Sequence, residues 1–261
     1  MMITIDQYAY ESKLKQLSPM LKMALSLITL FLCVLISENL FSLLVFCLMA
    51  WGCIVWSGVG VRTFCKLCVI PLGFLLIGVL TIAVSFPIEP VGLVHITLFQ
   101  HYIAITTEGL ALAGNIFLKS MAGVSCLYFL YVTTPIGEIL GVLDHFKVPS
   151  ILTEMMMMIY RFIFILFNMM GQMRIASHAR LGNISYRNSL ATMAKTSTSL
   201  FVNSFKKSTD ILNAMEARGY QGTLVYTQEL PKATTKQKML LLGYVLFMFI
   251  GGIWLKYGWM L

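Results

Sequence analysis

Two short stretches of the chain set an arginine in the same company: Ala179-Arg180-Leu181-Gly182 and Ala217-Arg218-Gly219. A guanidinium offers five N–H donors in a rigid planar fork and stays charged, so its chemistry is the gripping of carboxylates and carbonyls. Each arginine stands where a long helical pattern runs out. Each is followed closely by a glycine, the residue that most readily adopts the left-handed conformation just past a helix C-terminus. The first copy is one residue looser, because Leu181 separates Arg180 from Gly182. Taken singly, an arginine at a helix C-terminus complements its own helix dipole by about 0.3–1 kcal/mol. Taken together, the pair suggests two equivalent docking points for two copies of one partner. Alanine keeps the neighbouring surface low, glycine ends the helix, and the guanidinium is left to reach outward.

Other groupings carry less chemistry. Thioethers suit Cu(I), which makes Met155 to Met158 a tempting metal site. Four consecutive residues point four ways around a helix, however, so adaptable apolar filler is the better reading, as it is for Met169, Met170 and Met173. Cys65 and Cys68 form a CxxC at the start of an apolar run. All six cysteines lie in or beside apolar segments, as small hydrophobes would, and form no spaced disulfide framework. His95 and His101 share a loop without a nearby carboxylate or cysteine, and His145 and His178 stand singly at helix ends. No Ser/His/Asp set, paired carboxylates or G-x-x-x-x-G-K-[ST] phosphate loop is present. The chain therefore reads as non-catalytic, with no metal site and no cofactor of its own.

The elements that must hold the two arginines follow from composition. The 261 residues are 58% hydrophobic and 11% charged, with a mean hydropathy of +0.82. Soluble domains have roughly 45–50% apolar and about 25% charged residues. At about 20 apolar residues per span, the chain reads as an all-α integral membrane protein with about five transmembrane helices: Lys22–Ser37, Leu40–Ser57, Lys66–Phe86, Thr107–Val132 and Met239–Trp254. Pro71 and Gly73 suggest a kink in the third. Asp6, Glu11, Lys13 and Lys15 precede the first apolar run, so the first span is expected to act as its own insertion signal. The basic residues alternate between sides. Of the 19, all but Lys119 and Lys256 fall on the side of the N-terminus and of the long segment 134–238. That side is read as cytoplasmic and the C-terminus as outside. The net charge of +8 is then mostly topology, and no nucleic-acid partner is implied. Lys119, inside the fourth span, is expected to face other protein beside Asn115 and Ser120, since a charge there costs about 2.5–3.5 kcal/mol on insertion scales.

Three regions result: 1–133 with four spans, 134–238 with cytoplasmic helices, and 239–261 with the last span. The middle region reads as three helices, the last two long and packed on each other. Thr134 is expected to cap the first, with Pro135 at its first helical position, running to His145. Val148-Pro149-Ser150 breaks the chain, and Ser150 is expected to cap a helix over Ile151–Arg180. Its apolar first half should be buried against other helices, its polar second half emerging into the cytoplasm. The third helix spans Ser189–Arg218. Its apolar and small stripe, Leu190, Met193, Ser197, Leu200, Phe201, Ser204, Phe205, Ser208, Ile211, Leu212 and Met215, should pack on the second, with the serines allowing close approach.

Four stretches then resemble a known family. They are Ile5-Asp6-Gln7-Tyr8-Ala9-Tyr10-Glu11-Ser12 followed by Ser18-Pro19 and Lys22; Thr133-Thr134-Pro135 with Leu143 and Val148-Pro149; Tyr160-Arg161-Phe162; and Ala214-Met215-Glu216-Ala217-Arg218-Gly219-Tyr220. Together they resemble the transmembrane (T) component of energy-coupling factor importers, and within it the CbiQ cobalt transport family. The last stretch is the most specific, and the likeness covers nearly the whole chain. The resemblance implies an ATP-driven importer of the ABC class in which this chain carries no ATP site. Its partners would be two cytoplasmic CbiO-like ATPase subunits and a CbiM-like substrate-binding membrane subunit, with or without a small CbiN-like subunit. Ala179, Arg180, Gly182, Ala217, Arg218 and Gly219 would couple to the ATPases, supported by Thr134, Pro135, Pro149, Arg161 and Glu216. Cobalt is the substrate implied; nickel or a vitamin stay open as cargo, as does a self-sufficient secondary transporter.

Overall fold

In the computed structural model, residues 9–10, 12, 14, 17–36, 38–85, 94–98, 101–105, 107–146, 148–220, 222, 231 and 233–257 are described. The elements are α1 (Pro19–Leu35), α2 (Asn39–Ser57), α3 (Val61–Ala83), β1 (Val84–Ser85), β2 (Val94–Leu98), β3 (His101–Ile105), α4 (Thr107–Thr133), α5 (Ile136–His145), α6 (Ser150–Ala179), α7 (Tyr186–Ala217) and α8 (Thr235–Tyr257). They divide into two compact units, one within Met1–Ile139 together with Glu229–Leu261, the other within Leu140–Gln228.

In the first unit α4 is the central helix and packs on α1, α2 and α3, while α8 packs on α1. The core mixes small with large side chains: Cys33, Val45, Cys53, Ala122 and Cys126 are fully buried beside Phe41, Met49 and Met248. With lipid as apolar as leucine, such helices associate by close packing and interhelical hydrogen bonds. Both are present. Ser26 Oγ on α1 donates to the carbonyl of Cys126 on α4 at 2.7 Å, and the hydroxyls of Thr29 and Tyr244 meet at 3.2 Å. A β-carbon on Gly252 of α8 would overlap Ile36 Cδ1 and stand 3.2 Å from Phe41 Cε2, so any side chain there would have to displace the Ile36 tip. The outward faces are apolar, with Phe74 at 79% and Ile77 at 69% exposed on α3.

Helix α3 contains Pro71 and its helical assignment is unbroken through it. Proline has no N–H, so the carbonyl four residues back loses its helical partner. That carbonyl belongs to Leu67, and Tyr128 of α4 donates its hydroxyl to it at 2.9 Å. The neighbouring helix thereby restores what the proline removes.

The count of five long apolar helices among the described residues agrees with the sequence, but the membership differs. Helices α2, α3, α4, α6 and α8 are long and apolar enough to cross a membrane. Helix α1, expected as the first span, has only 17 residues; at 1.5 Å per residue it is about 26 Å long, short of the ~30 Å hydrocarbon core. Helix α6 joins the set because Met155 to Phe167 outweigh its polar end. The segment after α3 adds a three-stranded antiparallel sheet in the order β1-β3-β2 to the otherwise helical architecture. Its register pairs His95 with Ala104 and His101 with Leu98, so the two histidines are not cross-strand partners.

In the second unit α6 and α7 pack on each other, through part of the expected stripe. Leu190, Met193, Phe201 and Phe205 are 59–70% exposed. Leu200, Ser204, Ile211 and Met215 of the expected stripe are half-buried, whereas at the start of the helix Thr192 and Thr196 take the inward positions expected for Leu190 and Met193. Thr192 Oγ1 donates to the Gly182 carbonyl at 2.9 Å. The first half of α6 is not buried within this chain either: Thr153 is its only buried residue, and Ile151 and Ile159 are 66% and 56% exposed.

Candidate functional site

The two arginines end helices in the same way. At the end of α6, Gly182 N–H donates to the Ser177 carbonyl at 3.0 Å and Leu181 N–H to the His178 carbonyl at 3.0 Å. At the end of α7, Tyr220 N–H donates to the Met215 carbonyl at 3.0 Å and Gly219 N–H to the Glu216 carbonyl at 2.9 Å. Each is a Schellman motif, with its paired six-to-one and five-to-two bonds. In each the C-cap residue is the arginine, at φ −93°, ψ 17° for Arg180 and φ −95°, ψ 9° for Arg218. The first copy is therefore not looser: Ala179-Arg180-Leu181 and Ala217-Arg218-Gly219 superpose position for position.

The difference lies in which position needs glycine. Past Arg218 the left-handed position is filled by Gly219, at φ 84°, and a β-carbon there would meet nothing. Past Arg180 it is filled by Leu181, at φ 57°, which costs about 1–2 kcal/mol for an L-residue. Gly182, one residue on, is required for packing. A β-carbon there would fall 2.8 Å from Ser177 Oγ, 2.9 Å from Thr192 Oγ1 and 3.1 Å from the Ser177 carbonyl oxygen. Sequence spacing misplaced this glycine because only the approach of α7 reveals its purpose.

Both arginines are exposed, and no side chain among the described residues engages either guanidinium. Arg180 borders an open cleft of about 450 Å³ between α6 and α7, with Ser177, Thr192 and Lys195 on its walls. The arginines are not brought together. Arg180 lies just before the start of α7 and Arg218 at its end, and the 32 residues of α7 span about 48 Å. One rod carries a guanidinium at each end.

The other expected residues are distributed as follows. Arg161 is exposed on α6, next to Tyr160, whose ring packs edge-on against Phe164 at 5.0 Å. Glu216 is exposed as the penultimate residue of α7 and supplies the carbonyl for Gly219. Thr134 does not cap α5. Its hydroxyl lies 3.5 Å from that of Thr133, and the Pro135 carbonyl takes the N–H groups of Glu138 and Ile139, which makes Pro135 the N-cap and shifts Thr134 outside. Ser150 likewise does not cap α6: Pro149 is the N-cap and Ser150 the first helical residue. Lys119 is half-buried. Cys65 is exposed while Cys68 is buried, so the CxxC does not converge. Among the described residues no group of three His, Cys, Asp or Glu could hold a metal ion.

Sequence reasoning missed a buried ion pair. Lys22, read there as the N-terminal cation that opens the first span, is 4% exposed inside the bundle. Its ammonium lies 3.3 Å from Glu138 Oε2 and donates to the Thr133 carbonyl at 3.1 Å. The available signal was a lone carboxylate in the first turn of an otherwise apolar helix, which requires a partner if buried.

Among the described residues five helices are long and apolar enough to cross a membrane, which makes this a multi-pass helical membrane protein. The model of the cobalt transport protein family CbiQ matches residues 10–228, and the chain belongs to that family. It is 27% identical to the cobalt transport protein CbiQ of Salmonella typhimurium, over 85% of this chain and 98% of that protein. It is also 27% identical to an uncharacterized protein of Methanocaldococcus jannaschii, over 96% and 90% of the two chains. A putative fused cobalt transport protein CbiMQ of Methanocorpusculum labreanum is 27% identical over 94% of this chain and 41% of that protein.

Proposed function

We propose that this chain is the T component of an ATP-driven energy-coupling factor cobalt importer, transmitting motion from two cytoplasmic ABC-class ATPase subunits to a CbiM-like membrane subunit. The observation that carries the reading is the equivalence of the two caps. Two identically built helix ends, about 48 Å apart along one rod, each hold out an uncommitted guanidinium. That suits two copies of one partner better than a single ligand. The fused CbiMQ relative supports a CbiM-like neighbour, and the exposed apolar first half of α6 offers it a surface within the bilayer. In this reading the N-terminus, α5, the polar second half of α6 and α7 are cytoplasmic, α8 ends outside, and the three regions 1–133, 134–238 and 239–261 serve as membrane core, coupling segment and closing span.

The test is charge reversal. Arg180→Glu and Arg218→Glu should each weaken co-purification of the ATPase subunits, and the double variant should abolish it along with ATP-dependent uptake, while the chain stays at wild-type level in the membrane. Full assembly and uptake in the double variant would refute the reading.

A further inference from the structure

The buried Lys22–Glu138 pair lies where α4 turns into α5. Three backbone ends meet there: the start of α1, the C-terminus of α4 and the first turn of α5. Thr133, the last residue of α4, has a carbonyl at the negative end of that helix, and Lys22 donates to it. Glu138 occupies the first turn of α5, where the helix dipole favours an anion. The lysine therefore matches the electrostatics of one helix end and the glutamate those of the next. Their side chains are only 3% and 10% exposed, so water does not compete. The surroundings are closed as well: Thr133 and Thr134 are buried, and Thr133 Oγ1 donates to the Phe129 carbonyl at 2.6 Å.

Stability alone is a weak reason for such a pair, because apolar side chains of similar volume often replace buried ion pairs at no loss. An apolar pair would not set direction. An ammonium shared between one carbonyl and one carboxylate admits a single orientation of the α4–α5 corner.

We propose that the Lys22–Glu138 pair is a pin that makes the α4–α5 corner rigid, so that force arriving along α5 moves α1 and α4 as one body instead of bending the corner. Both are positioning residues. The inference rests on the coupling role proposed above.

The test uses the complete complex in liposomes, measuring ATP hydrolysis and cobalt uptake together. Lys22→Met with Glu138→Leu should assemble and hydrolyse ATP, with uptake per ATP lowered about tenfold, within the range by which such networks tune coupling. A purely structural pair would leave that ratio unchanged, and an unchanged ratio overturns the pin while the coupling role stands. If the wild-type complex shows no ATP-driven uptake, the coupling role falls and the pin with it. Should the double variant fail to assemble, hydrogen exchange of the wild-type complex decides: amides 130–140 should exchange equally with and without ATP, and faster exchange on ATP binding overturns the pin.

Discussion

Removing the Tyr128 hydroxyl should be harmful only while residue 71 is proline. Leu67 has a carbonyl without a helical donor because Pro71 has no N–H, and the Tyr128 hydroxyl at 2.9 Å is its substitute. In Tyr128→Phe that carbonyl loses its partner inside the bundle. Leaving a buried acceptor unmade costs about 1–3 kcal/mol in general, while membrane hydrogen bonds average about 0.6 and reach about 1.7 kcal/mol. A loss of about 1–2 kcal/mol is therefore expected. Pro71→Ala supplies the missing amide, so Tyr128→Phe in that background should cost close to nothing. The coupling between the two positions should equal most of the single-variant loss. The assay is a double-mutant cycle on the purified chain in detergent, with the unfolded fraction followed against denaturant. Equal losses with proline and alanine at position 71 would show that the hydroxyl serves something other than the proline gap, and would refute the argument.

The two caps and the α8 contact make further predictions. Gly182→Ala should loosen the end of α6 by about 1–3 kcal/mol through overpacking, whereas Gly219→Ala should cost only the roughly 1 kcal/mol of its left-handed backbone. Hydrogen exchange at residues 176–186 and 213–220 would report both, and a larger effect at Gly219 would contradict the packing at Gly182. Gly252→Val should push α8 off Ile36 and Phe41 at about 1–3 kcal/mol, seen as a lower midpoint of thermal unfolding; an unchanged midpoint would refute the contact.

The helical architecture was largely legible in the sequence because bilayer thickness and hydropathy act locally. The bounds of α2, α4 and α7 fall within a few residues of those read from patterning. What escaped was decided by partners distant in the chain. Lys22 looked like an N-terminal charge because Glu138 is 116 residues away. Gly182 looked like a displaced cap residue because its reason is Thr192, on the next helix. The packed face of α7 was legible only in part: Leu200, Ser204, Ile211 and Met215 lie on it, but Leu190, Met193, Phe201 and Phe205, assumed to turn inward as bulky apolar residues, face outward. Thr134 and Ser150 were read as caps from residue type, and in both cases a proline carbonyl took the position. The exposed arginines were legible because they follow from helix-ending chemistry alone.

The residue after each arginine gives the rod a polarity. Beyond Arg218 the backbone is bare, whereas beyond Arg180 the side chain of Leu181 stands 66% exposed. A surface that closes around Arg180 must house an isobutyl group, and one that closes around Arg218 meets only peptide. Two identical sockets would be filled unequally, one snug and one with room to spare, and two different sockets could tell the ends apart. Matching arginines thus come with unmatched neighbours, and a symmetric pair of partners would acquire a left and a right from the chain they hold.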